Sequence, residues 1–191
     1  LTTAVHDAAE LARSPAGLSF WCWNANPGRS FGGSLEEARR RSAKPVLISE
    51  FGVDAFDERT RQEDERAQAE AAATLLNEIE AAGWLLGGIY SSFLDEWWRG
   101  GPDAGRHGAG GSSRPGFPDG FCNDAWTGIF RVSATEQPGL DSLAPRAVYG
   151  VLAARWGGRA VPAAADPPRL LRLENAASGM ELVAPGTLVR A

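Results

Sequence analysis

Three short apolar runs punctuate the chain, each followed by polar and turn-forming residues. They are Leu18-Ser19-Phe20-Trp21-Cys22-Trp23-Asn24-Ala25, Lys44-Pro45-Val46-Leu47-Ile48-Ser49-Glu50-Phe51-Gly52, and Trp84-Leu85-Leu86-Gly87-Gly88-Ile89-Tyr90-Ser91-Ser92-Phe93. Their length and their aromatic and β-branched content predict buried strands rather than amphipathic helices. Other segments keep a helical period. Ala71, Ala72, Leu75, Leu76 and Ile79 lie on one face of a long helix that the spacing starts near Asp57 and Gly83 ends. Ser34 is placed to cap a short helix from Leu35 to Ala43. Pro145 stands near the first turn of a last helix reaching Trp156, with Val148, Val151 and Leu152 inward. Residues 3–13 look like the end of a further helix, closed by Ser14-Pro15-Ala16-Gly17, with His6 on its surface.

Strands alternating with helices imply a parallel sheet with right-handed crossovers. The expected class is α/β, as a partial (β/α)8 barrel: its last three βα units (strands 6 to 8) over residues 1–156, followed by a short β tail. Gly100 to Gly120 is far longer than an ordinary βα loop and rich in Gly, Pro and Ser, so it reads as a mobile flap or disordered chain. Residues 157–168 have the composition of a linker. In 169–191, Arg169–Glu174 and Met180–Val183 alternate around Asn175–Gly179 as a β-hairpin does.

Composition narrows the partners. Among 191 residues the net charge is −5, and the basic residues are scattered, which argues against nucleic acid. No run approaches the ~18 apolar residues of a membrane span. The N-terminus has neither a basic region nor an apolar stretch of the secretory kind, and the sequence assigns no compartment. Opening on Leu1 rather than Met fits a truncated product, a processed form or an excised segment. Cys22 and Cys122 are too few for a disulfide scaffold or zinc site; they read as buried thiols that bridge only if the fold joins them. No metal or cofactor is called for. Seven Trp against two Tyr is a bias toward flat apolar surface, of the kind that meets sugar faces, with core packing as the competing use for Trp84 and Trp156.

Glu50 is the first charged side chain after the apolar centre of its run. At the C-terminal end of a parallel strand, where ligands bind in barrels and open α/β sheets, it is a catalytic candidate. A helix cap or a partner for a neighbouring Arg has the same appearance, and this strand alone does not separate the readings.

Taken together, Trp21-Cys22-Trp23-Asn24, Gly28-Arg29-Ser30-Phe31-Gly32, Ile48-Ser49-Glu50-Phe51-Gly52-Val53-Asp54-Ala55, Asp95-Glu96-Trp97-Trp98 and Asn123-Asp124-Ala125-Trp126-Thr127-Gly128-Ile129 resemble, in order and spacing, the C-terminal part of retaining glycoside hydrolase barrels. Family 2 (β-glucuronidase and β-galactosidase type) and the β-glucan transglycosylases are the nearest in pattern, and the resemblance runs from Leu1 to Trp156. It implies action on a β-linked glycoside or polysaccharide, with Glu50 as nucleophile on strand seven. It implies Trp97 or Trp98 as a sugar platform, Asp95 for sugar hydroxyls, and Asn26 and Arg29 reaching the same mouth. A retaining enzyme also needs an acid/base carboxylate about 5 Å from the nucleophile, protonated while the nucleophile is ionised. In the family that Glu follows strand four in an Asn-Glu pair, upstream of everything seen here. Asn77-Glu78 is the one similar pair, and it lies mid-helix; Asp54, Asp95, Glu96 and Asp124 are the remaining stand-ins.

A full barrel takes about 250 residues and eight strands. Three strands leave open edges. The resemblance therefore implies a chain inactive by itself, and its competing reading is a carbohydrate-binding or structural remnant. Self-association, or pairing with the missing barrel half, is the expected way to cover the edges.

Overall fold

The computed structural model describes residues 2–13, 15–100, 110–134, 141–157, 181–184 and 187–190. In chain order, β1 (Thr2–Val5), β2 (Phe20–Asn24), α1 (Ser34–Arg41), β3 (Val46–Phe51), the small antiparallel pair β4 (Phe56–Asp57) and β5 (Gln62–Glu63), α2 (Glu65–Ala81) and β6 (Leu85–Tyr90) come first. Then follow β7 (Ser112–Ser113), β8 (Phe121–Cys122), β9 (Phe130–Ala134), β10 (Asp141–Pro145), α3 (Ala147–Trp156) and the hairpin β11 (Glu181–Ala184) and β12 (Thr187–Arg190). The stretch 158–168 and the expected hairpin arm 169–174 lie outside the described residues.

The central sheet has the order β1-β2-β3-β6, every pair parallel, so position in space follows position in the chain. Four strands form it, not three. Thr2–Val5 is a strand where a helix was expected, and only Ala8–Ala12 turns as a short 3-10 helix, capped by the Asp7 side chain on Ala9 N at 2.8 Å. The Ala and Leu residues there suit a helix, but β-branched Thr2, Thr3 and Val5 suit the edge of a sheet, and pairing with β2 decides between them.

One face of the sheet carries the core. Trp21, Trp23, Val46, Ile48, Phe51 and Tyr90 point to it and meet Leu35 and Ala38 of α1, Ala72, Leu75, Leu76 and Ile79 of α2, and Val148 and Leu152 of α3. Each large aliphatic side chain buried this way contributes about 1.5–3 kcal/mol. Gly88 belongs to the same face, because a Cβ on it would sit 2.8 Å from Ile79 Cδ1 and 2.9 Å from Phe51.

Boundaries shift where local side chains compete for the backbone. α2 starts at Glu65, not near Asp57. Asp57 Oδ1 instead accepts from Arg59 N and Thr60 N to close the β4–β5 turn, and Asp64 caps α2 by accepting from Ala67 N at 2.9 Å. Ser34 is the first residue of α1 rather than its cap. Pro145 ends β10, and α3 begins two residues later. Of the long loop, residues 101–109 lie outside the described residues. Residues 110–120 are held in place: Glu58 Oε1 accepts from Gly110 N and Gly111 N, and Arg114 N bonds Gly120 O.

Candidate active site at the strand ends

Glu50 owes its direction to a bulge. Trp23 stands opposite Ile48, but the next residue, Asn24, stands opposite Glu50, so Ser49 is the extra residue in β3. Directly paired residues share a side of the sheet, and a bulge re-aims the side chain after it. Glu50 is thereby taken off the core side, which Ile48 and Phe51 occupy, to the face of Asn24, Cys22 and Leu47. Its carboxylate is half-buried, with no hydrogen bond or ion pair to the described residues; its carbonyl accepts from Ala25 N at 3.0 Å. Ser49 Oγ donates to Asn24 Oδ1 at 2.6 Å and ties the two strand ends together.

The other expected site residues divide. Asn26 is exposed on the loop after β2, in a left-handed turn with φ of 34°. Trp97 is half-buried in the 3-10 turn Trp97–Gly100, and the Trp98 side chain lies outside the described residues. Arg29 is exposed and donates to the Pro118 carbonyl. It lines a hollow of about 240 Å³ with Asp54, Phe56, Arg59, Asp64 and Asp119, and Glu50 is not among the lining residues.

Asp95 is fully buried, and its two oxygens take Arg146 Nη1 at 2.5 Å and Nη2 at 2.8 Å. It also accepts from Gly128 N and Val132 N. Its carboxylate is committed inside the protein. Burial opposes the Arg146 charge, yet the bonds from Asp95 and Glu63 outweigh it and hold the guanidinium above its usual pKa. Arg131 extends this network to Glu63 and Glu65, so acids just before and within the start of α2 are tied to β9 and to Arg146, the residue before α3, whose first amide, Ala147 N, donates to Glu65 Oε2 at 3.0 Å.

The stand-in acids are also placed. Asn77 accepts from Arg155, while the two oxygens of Glu78 accept from Ser30 Oγ at 2.5 Å and Phe31 N at 2.7 Å, both on the outer helical layer. Glu96 pairs with Arg99. Asp124 accepts from the Cys122 thiol and lies near Arg99. Cys22 and Cys122 are half-buried free thiols, not bridged to each other. Burial, then Asp124 and Asp54, push the Cys122 thiol up to about 12, which keeps it un-ionised and poorly nucleophilic at neutral pH.

Asp54 was legible only as one acid among several. It is buried on the loop after β3, and burial raises its pKa to about 7, against the lowering hydrogen bonds from Phe56 and Asn123 and with Asp119 adding to the rise. Gln68, buried in α2, belongs to no motif in the sequence. Its Nε2 donates to the carbonyls of Val53, Thr127 and Gly128 at 3.2–3.4 Å. The signal that was present is its position on the Ala72-Leu75-Leu76 stripe, where a polar residue requires internal partners.

Among the described residues no cluster suits a metal ion, and no helix is long and apolar enough to cross a membrane.

No protein-family model and no curated protein matches the sequence. Solved structures do match. The GH2 beta-galacturonidase of Eisenbergiella tayi, bound to galacturonate, superposes with a TM-score of 0.52 at 15% identity, over 83% of this chain and 27% of that one. The beta-glucuronidase of Ruminococcus gnavus gives 0.51 at 17% identity, over 83% and 26%. The described fold is similar to part of each of these two structures. This chain thus spans about a quarter of the length of these two structures.

Proposed function

We propose that the chain is the C-terminal part of a retaining β-glycoside hydrolase barrel, with Glu50 as nucleophile and the acid/base carboxylate supplied from outside these residues. The four parallel strands are then half of an eight-stranded barrel, and the face that Glu50 shares with Asn24, Cys22 and Leu47 is its interior. One observation carries the assignment: the bulge at Ser49 turns a carboxylate with no partner among the described residues away from the packed core, at the end of the sheet where barrels keep their chemistry.

The residues suit the first half of the reaction. A carboxylate oxygen of Glu50 attacks the anomeric carbon as the bond from that carbon to the leaving oxygen breaks, giving a glycosyl ester. Asn24, held by Ser49, is the nearest cross-strand neighbour to orient it. Asn26 and Trp97 are the retained sugar contacts. Asp95 is left out, because Arg146 occupies it.

A good leaving group needs no acid, so this half-reaction is testable without the missing carboxylate. With dinitrophenyl 2-deoxy-2-fluoro-β-glycosides, dinitrophenolate departs with the bonding electrons and the fluorine slows hydrolysis of the ester. The panel includes hexosides and uronides, the latter because the E. tayi neighbour holds galacturonate. Intact-mass and peptide spectrometry is expected to find one glycosyl adduct on the peptide containing Glu50, and none on Glu50→Gln. Absence of the adduct across the panel, or an adduct that survives Glu50→Gln, overturns the nucleophile. The same sugars bound without labelling would instead support a carbohydrate-binding remnant, the reading favoured by the absence, among the described residues, of a carboxylate bonded to Glu50.

A further inference from the structure

The segments that follow three parallel strands meet at the end of the sheet where Glu50 stands. Arg29 comes from the loop after β2, Arg59 from the β4–β5 turn after β3, and residues 113–121 from the segment after β6. Their backbones are locked together. Arg29 N donates to Gly116 O at 2.8 Å, and the two loops approach so closely that a Cβ on Gly28, whose φ is 80°, would fall 2.1 Å from that oxygen. The Pro118 carbonyl accepts from the Arg29 guanidinium, and Arg59 Nη2 lies 3.4 Å from where a Cβ on Gly120 would stand.

These segments enclose a second hollow, of about 470 Å³, beside the one that Asp54 lines. Arg29 and Arg59 line it together with Pro115, Phe117 and Phe121, and no Asp or Glu is among its lining residues. Among the described residues neither guanidinium makes an ion pair. The acids on the far side of the two arginines are held by backbone amides instead. Asp119 accepts from Glu58 N and Phe121 N, Asp64 from Ala67 N, and Asp57, close enough to feel the Arg59 charge, from Arg59 N and Thr60 N. An arginine has five N–H donors and stays charged, so most of the donor capacity at this wall is unspent.

We propose that this hollow binds the oxyanion of an acidic glycan, a carboxylate or sulfate on a sugar unit other than the one Glu50 attacks. Paired guanidinium N–H groups are suited to oxygen anions, and Phe121 with Pro115 offers the ring carbons of a sugar an apolar wall. Glu50 is not among the lining residues, so a unit held here is a neighbour of the one cleaved. The chain as a whole carries −5, so attraction of a polyanion has to be local. That the ligand is a glycan rests on the glycosidase reading; that it is an anion rests on the two arginines.

Isothermal titration calorimetry on the purified chain tests this. The probes are cellotetraose and β-linked mannotetraose, each with its primary hydroxyls free, oxidised to carboxylates or sulfated, with inorganic sulfate as the bare ion. At least one charged form is expected to bind about tenfold or more tighter than its neutral parent, and the carboxylate and sulfate arms tell which anion is preferred. Arg59→Gln, on an exposed turn, is expected to bring that form down to the level of the neutral parent while far-UV circular dichroism stays unchanged. Arg40→Gln removes the same charge from the exposed side of α1 and is expected to change nothing. The proposal is overturned by charged and neutral forms binding alike, by inorganic sulfate binding as tightly as the charged sugars, by indifference to Arg59→Gln, by an equal loss with Arg40→Gln, or by no binding at all. Labelling of Glu50 by the uncharged fluoroglycosides is read separately, so failure of the anion site and failure of the nucleophile are distinguishable.

Discussion

Asp54 couples the loop behind the candidate nucleophile to pH. Its pKa rises from an ordinary 3.8 to about 7, chiefly through burial, so the folded state holds the proton more tightly than the unfolded chain does. The sign follows: this stabilisation is complete below pH 3.8 and is lost as pH rises through 7. A rise of that size corresponds to about 4 kcal/mol. Asp54→Asn keeps an acceptor for Phe56 N, which bonds Asp54 Oδ1 at 3.0 Å, and has nothing to ionise. Thermal melts are expected to show native stability falling between about pH 4 and 7, the variant flat across that window, and the variant the more stable of the two above it. Parallel pH profiles would show that Asp54 does not ionise in place. Sequence could not reveal this behaviour, because two of the groups that act on Asp54 lie far along the chain: the charge of Asp119 and the hydrogen bond from Asn123 reach it only after the segment following β6 folds back.

What the sequence made legible at the level of elements was what repeats locally. The three apolar runs are β2, β3 and β6, and the Ala71–Ile79 stripe is the buried side of α2. The β4–β5 turn was hidden by charge, since Glu58, Arg59, Arg61 and Glu63 resemble a solvated helical face until Asp57 and Asp64 claim the backbone donors. The network of Asp95, Arg146, Glu63 and Arg131 spans 83 residues at its widest bond, and no local pattern announces it. Gln68 shows how such long-range ties hold the site. It fastens α2 to the loop after β3 and to residues 127–128 at once. Gln68→Leu keeps the volume and removes these bonds, while the three carbonyls retain Tyr90 Oη, Ser92 N and Arg146 Nη1, so the cost is that of a net hydrogen bond, about 0.5–1.5 kcal/mol. The urea midpoint is expected to fall with the slope unchanged, the mark of lost stability rather than an altered unfolded state.

One helical layer on a four-stranded parallel sheet leaves the molecule asymmetric. α1, α2 and α3 all pack with the core on one side, while Leu86 and Ile89 stand in water on the other. Parallel sheets are ordinarily covered on both faces, and among the described residues no helix packs on the side of Leu86 and Ile89. Hydrogen exchange reads the same point across the whole chain. β2 and β3 have strand neighbours on both sides, and their amides are expected to exchange slowest at any concentration. Among the described residues, the amides of β1 and β6 that point outward have no strand partner, and they are expected to exchange faster than those of β2 and β3. Exchange in β6 as slow as in β3 would mean that its edge is covered in solution. A bare edge would leave the face beside Glu50 open to water, and a carboxylate there would lack the enclosed, low-dielectric surroundings in which attack on an anomeric carbon is strongly favoured.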